Sequence, residues 1–243
     1  MRVLAASTLL LRWHERSAMI ALCGMGWIDK EEYICVMKNM LVRYKDFTSF
    51  DGLLRTGIFP CAFKNFGRLD EVSKLVCYAV ALALKDAGNA YDCIQKQDMG
   101  IIGTNSDGSL QADIDYFRDY IDSGRKLSRG NLFLYTLPSS PLGEAAIHFG
   151  LQGPVFYMSS GHASLPAVLR TASEMLMLGE TQSVLVGMNT EDEAAYMVLI
   201  KDPAPRQQVL CDLSEALPLI EKGGSLREMA EEFAKMKKGK GIK

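Results

Sequence analysis

The chain has 243 residues, 48% of them apolar and 23% charged, with a formal net charge of −2. That composition excludes wholesale disorder, a collagen-like repeat and a disulfide-knotted miniature fold. With 27 basic against 29 acidic side chains, no global field draws nucleic acid or an anionic membrane.

The longest apolar run, Val3 to Leu11, gives way to Arg12, His14, Glu15 and Arg16. It is shorter than the roughly 18 residues of a membrane span and no clear small-x-small cleavage site follows it. Cys23, Cys35, Cys61, Cys77, Cys93 and Cys211 are scattered without a C-x-x-C pair, and His14, His148 and His162 complete no zinc spacing. They are expected as small core thiols in a reducing compartment, the cytoplasm, with no cofactor or metal.

In chain order, Ala18 to Cys23 reads as a buried strand ending in a tight turn, Gly24-Met25-Gly26. A dinucleotide loop there is disfavoured, because Asp29 stands where its third glycine belongs. Glu31 to Tyr44 is expected to be helical and Phe47 to Phe63 a loop. Leu69, Val72, Leu75, Val76, Ala79, Leu82 and Ala83 fall at three- and four-residue steps, predicting a helix over Leu69 to Asp86 with Gly88 as its stop. Val80, Ala81 and Leu84 make it apolar nearly all round, so it should be sandwiched between layers.

Met99 to Thr104 reads as a central strand ending in a glycine turn. Gly100-x-x-Gly103 has no Gly-Lys-Ser/Thr to make a phosphate loop, and Asp107, Asp113 and Asp115 do not match an EF-hand. Helices are predicted over Asp113 to Ile121, Leu142 to Phe149 and Leu165 to Leu178, the last two stopped by Gly150 and Gly179. Strands are predicted over Pro154 to Met158, Ser183 to Met188 and Ala195 to Lys201, with a possible edge strand at Gln208 to Asp212. Ser225 with Glu228 makes a capping box opening a terminal helix, and five lysines in the last nine residues read as a solvated end. This order predicts an α/β fold with both sheet faces covered.

The segment Gly153-Pro-Val-Phe-Tyr-Met-Ser-Ser-Gly-His-Ala-Ser-Leu165 runs a strand through a tight turn into a low-charge helix. Such an elbow exposes the turn residue and aims free helix N–H groups at it, an arrangement that activates a thiolate or holds an oxyanion. The stretch Leu137 to Pro154 is similar to the one before the active cysteine of β-ketoacyl synthases, and Phe156 to Leu165 sits where that family has its cysteine elbow. Cys23 to Gly26, Arg68 to Gly88, Met99 to Thr104, Ser183 to Asn189 and Glu193 to Leu199 resemble further family segments in the same order.

The resemblance covers about residues 18 to 200, roughly the N-terminal half of a full synthase. It implies a thiolase-like layered fold with a mostly parallel mixed sheet covered by helices. It divides the chain into 1–18 as an extension (the start being Met1 or Met19), 19–201 as the synthase-like domain, and 202–243 as a shortened C-terminal extension with a terminal helix and basic tail.

The resemblance sets Gly161 at the nucleophile position, and glycine has no side chain to form an acyl thioester. The family's two catalytic histidines belong to its C-terminal half; His14 and His148 do not fit their motif, and His162 is the neighbour of the vacant position. The resemblance therefore implies no catalytic, cofactor or metal residues here. It points to a non-catalytic subunit of the chain-length-factor type, of the kind found with aryl-polyene and related pigment pathways. Such a subunit pairs as a heterodimer with an active β-ketoacyl synthase and meets acyl carrier protein through it.

In the family the strand before the elbow pairs across the dimer, which assigns Val155, Phe156, Tyr157 and Met158 to the partner interface. A half-synthase should also leave an apolar face uncovered. The alternative is a divergent β-ketoacyl synthase or acyltransferase with another nucleophile. Ser159, Ser160 or Ser164 beside His162 would be serine candidates, but the G-x-S-x-G elbow is absent. A third class is a folded remnant with no acyl-related role.

Overall fold

A computed structural model describes residues 18–44, 50–89, 95–126, 129–159 and 165–239. Its strands are β1 (Ile20–Ile28), β2 (Glu32–Cys35), β3 (Met40–Arg43), β4 (Met99–Thr104), β5 (Val155–Tyr157), β6 (Ser183–Asn189), β7 (Ala194–Lys201) and β8 (Cys211–Asp212). Its helices are α1 (Glu71–Asp86), α2 (Leu110–Asp122), α3 (Gly130–Tyr135), α4 (Ser140–Phe149), α5 (Leu165–Leu178), α6 (Leu213–Glu221) and α7 (Leu226–Gly239).

One sheet runs β3-β2-β1-β7-β6-β4-β5, with β8 beside the start of β1. Period-two alternation sorts its side chains: Ala194, Tyr196 and Val198 of β7 enter one core, and Ala195, Met197 and Leu199 the other. The first core packs under α1 and α4, the second under α5, α6 and α7. The expected layered α/β fold is present. Among the strands, β4 pairs in parallel with β5 and β6, less than the parallel majority expected. The β1–β2, β2–β3 and β6–β7 neighbours are antiparallel.

Several expectations are corrected. Gly24 and Gly26 do not turn the chain but lie inside β1, where α1 crosses. A Cβ on Gly26 would stand 2.5 Å from Leu82 Cβ and 2.6 Å from the Ala83 nitrogen, so glycine is what permits this helix–sheet approach. Gly103 likewise lies within β4 rather than in a turn.

The segment expected as a helix over Glu31 to Tyr44 is the β2–β3 hairpin. Its connection includes Asn39 at φ 49°, a conformation asparagine tolerates. Within Phe47 to Phe63, the described part includes a 3-10 stretch at Phe50–Thr56.

The predicted α1 is borne out and its N-cap is Asp70, which accepts from the Ser73 amide at 2.8 Å. The two coverings it requires both come from this chain. One is the sheet; the other is α4 with the rings of Phe59, Phe66 and Phe149. At its end Asp86, fully buried, accepts from the amides of Met25 (2.9 Å), Met37 (2.8 Å) and Lys38 (2.9 Å). That carboxylate ties the helix to β1 and to the hairpin turn.

The second face of the sheet is covered by the chain itself, but an apolar surface is left bare elsewhere: α2 buries none of its residues, and Leu110, Phe117, Ile121, Phe133, Leu134 and Leu137 are exposed. Leu213, Ala216, Ile220, Leu226, Ala230 and Phe233 of α6 and α7 bury the second face together with α5. Asp212 and Glu215 form a capping box on α6, and Ser225 and Glu228 satisfy each other's backbone amides at the start of α7 as predicted.

Four cysteines, Cys23, Cys35, Cys77 and Cys211, are free and buried as expected. Cys61 departs from that expectation because it is disulfide-bonded. Among the described residues no helix is long and apolar enough to cross a membrane.

Candidate functional site

The site is built at the carboxyl ends of β4 and β5. These strands run parallel, with Gly103 opposite Tyr157. Their ends are knitted by three bonds. The Met158 amide donates to the Gly103 carbonyl at 2.9 Å. The Thr104 hydroxyl donates to the Met158 carbonyl at 2.8 Å, and Tyr157 Oη donates to Asn105 Oδ1 at 2.8 Å. Asn105 is itself buried and exchanges bonds with the Gly108 backbone.

This fixes the direction in which β5 delivers the chain to the elbow, and α5 begins at Leu165 on the far side. The elbow positions Ser160, Gly161, His162 and Ser164 lie outside the described residues. Ser159 is described and exposed. Beside this end of the sheet is a cavity of about 400 Å3 among Asp70, Val72, Asn105, Leu110, Tyr135 and Leu137.

Four of the described cysteines, Cys23, Cys35, Cys77 and Cys211, are buried. Burial pushes the Cys23 and Cys35 thiols up to about 12 and the Cys77 thiol well above its ordinary value. A buried thiol of that kind stays protonated and inert. Cys93 and His14 lie outside the described residues.

His148, on α4, stacks on Phe63 with centroids 3.7 Å apart and planes 7° apart, and it meets Phe59 edge-on. Burial lowers its pKa to about 4. It packs among these aromatic rings as a neutral imidazole near pH 7. Among the described residues no group of His, Cys, Asp or Glu could hold a metal ion.

The four interface candidates differ in exposure. Val155 is 39% and Phe156 49% exposed, and Ile147, on α4, is 80% exposed. Tyr157 is half-buried against the first core and Met158 packs against the second. β5 is the last strand of the sheet, bonded to β4 on one side. It carries no charge, so it lacks the usual protection of an edge strand. The composition of Val155 to Met158 made the strand readable in sequence; its edge position depends on the sheet order. The Asn105–Tyr157 and Thr104–Met158 links gave no sequence cue.

A model of the β-ketoacyl synthase, N-terminal domain, matches residues 36–193. Comparison with curated proteins gives no match. Among solved structures, the ishigamide ketosynthase/chain length factor aligns over 80% of this chain and 65% of its own, at 14% identity and a TM-score of 0.58. A type II polyketide synthase acyl-carrier protein in complex with its ketosynthase bound to the hexaketide (AntDE:AntF) aligns over 80% of this chain and 67% of its own, at 16% identity and a TM-score of 0.53. The chain therefore spans about two-thirds of these structures, and at such identities the likeness is one of fold.

Proposed function

From the premise that this chain belongs to the β-ketoacyl synthase family by its N-terminal domain, we propose that it acts as a non-catalytic, chain-length-factor-like subunit. Its partner is a cysteine-bearing β-ketoacyl synthase that condenses acyl chains held by acyl carrier protein, in fatty-acid or aryl-polyene-type polyketide synthesis. Residues 19–201 are the synthase-like domain of this reading and 202–243 its C-terminal extension.

What carries the proposal is Gly161, which the resemblance to the family's cysteine elbow sets at the nucleophile position. Without a side chain, that position cannot take an acyl group. The burial of Cys23, Cys35, Cys77 and Cys211 supports it, since none of these thiols is available as a substitute. The uncharged edge strand β5, with Val155 and Phe156 exposed, supports pairing with a second subunit. The expected interface is of obligate size, roughly 2,000 Å2 or more in total.

Co-expression with a cysteine-bearing synthase from the same gene neighbourhood tests the proposal. The two chains should co-purify and condense acyl-carrier-protein substrates together. Gly161→Cys in this chain alone should give no condensation. Failure of the chains to associate, or turnover by that variant alone, would refute the reading.

A further inference from the structure

The second face of the sheet is closed by the chain's own C-terminal helices, and the closure has an identifiable latch. Glu32, 4% exposed on β2, is ion-paired with two arginines. Arg43 Nε lies 3.0 Å from one carboxylate oxygen, and Arg227 Nη2, from the first turn of α7, lies 2.5 Å from the other. The Arg227 guanidinium also sits 5.8 Å from the Trp27 ring centre and 3.1 Å, through Nε, from Glu231. At the other end of α7, Lys237 donates to the Met37 carbonyl in the hairpin turn. Between these ends, Leu226, Ala230 and Phe233 are buried, and Met229, Ala234 and Met236 pack part-buried against the same core. They belong to the same core as Met25, Trp27, Ile34, Val36 and Met37.

A helix of 14 residues with this much charge is marginal by itself in water. Its docking rests on the face beneath it. Without α7, Trp27 and its neighbours would form an exposed apolar patch, the kind of surface that recruits another protein.

We infer that α6 and α7 are a built-in cover, latched by Arg227 on Glu32, which reserves this face from other subunits and leaves a partner the surfaces elsewhere, the β5 edge among them. Exposure agrees with this assignment. Val155 and Phe156 lie bare on β5, whereas Trp27, Met25 and Leu22 under the cover are 1%, 0% and 0% exposed. Only the last part, which surfaces are left to a partner, rests on the subunit pairing proposed above.

The test is hydrogen exchange by mass spectrometry on the full-length chain, as wild type, Arg227→Ala and Phe233→Asp. A dye that fluoresces on apolar surface is read in parallel. With Arg227→Ala, amides of α7 and of the Met25–Trp27 stretch should exchange about tenfold faster or more, while α1 keeps its protection. Phe233→Asp should add dye binding and concentration-dependent self-association. Unchanged exchange in α7 with Arg227→Ala would overturn the latch, whatever Phe233→Asp does to folding. Capture of a cysteine-bearing synthase is measured on the same samples. If the opened variants bind it as wild type does, the reserved-face assignment stands; if opening the cover creates or abolishes capture, it falls. Should wild type capture no synthase, the pairing proposal fails, and the exchange data still decide the latch.

Discussion

Removal of the Asp86 carboxylate should be among the most damaging single changes in the chain. Its Oδ2 accepts from the Met25 and Met37 amides and its Oδ1 from the Lys38 amide, all within 2.9 Å. Asp86→Ala strands three backbone donors, and each buried donor left unsatisfied costs about 1–3 kcal/mol. Lys38 is exposed, so water can reach the third donor, and we expect a loss of about 4 kcal/mol.

Asp86→Asn can turn its carbonyl toward Met25 and Met37 and forfeit the Lys38 bond alone, at a cost of about 1–2 kcal/mol. Burial raises the pKa of Asp86 despite its three amide bonds, so losing the charge returns part of that cost. Urea unfolding followed by circular dichroism should rank wild type above Asn and Asn above Ala, with the slope unchanged. An alanine variant within about 0.5 kcal/mol of wild type, the scatter of neutral surface changes, would refute the clamp, as would an asparagine variant equal to alanine.

Gly26→Ala should cost about 1–3 kcal/mol or more, because the new methyl meets Leu82 and the α1 backbone. Gly143→Ala, in α4 with open space around it, should instead stabilise by about 0.5–1 kcal/mol; thermal melts of the pair compare the two. His148 has its pKa lowered from 6.5 to about 4 by burial, so the unfolded chain binds the extra proton between those values. Stability should therefore be full above pH 6.5 and fall as pH drops toward 4. The ring is partly exposed, so the loss should be on the order of 1–2 kcal/mol. His148→Phe, which keeps the stack on Phe63, should remove that part of the slope in pH-dependent denaturation. Phe156→Asp, at an exposed edge position, should leave the melting temperature within about 2 °C and abolish capture of a partner synthase.

The helices α1, α4 and α5 were legible because their apolar residues keep a helical period and Gly88, Gly150 and Gly179 end them at positive φ. The β2–β3 hairpin was not. Glu32 to Cys35 is buried on both sides, so the alternation that marks a half-exposed strand is missing, and a short apolar run fits helix and strand equally. The cue passed over was Lys38-Asn39, a turn pair.

Gly24-Met25-Gly26 read as a turn because sequence does not disclose that α1 crosses there. The cover was hidden for a related reason. In α7 charged residues are interleaved with the apolar ones, and Pro218 lies inside α6; neither looks like a core element until Trp27 and Glu32 are placed beneath. At the site, the strand–helix frame of the elbow was readable from Val155 to Leu178, whereas the ties from Thr104 and Asn105 depend on which strand neighbours β5.

The most direct measurement of the central claim is intact mass spectrometry of both subunits after the co-purified pair is incubated with acyl-loaded carrier protein under condensing conditions. The account predicts an acyl adduct on the synthase partner, condensation product in solution, and an unchanged mass for this chain. An acyl adduct on this chain, or condensation by it in the absence of any partner, would contradict it.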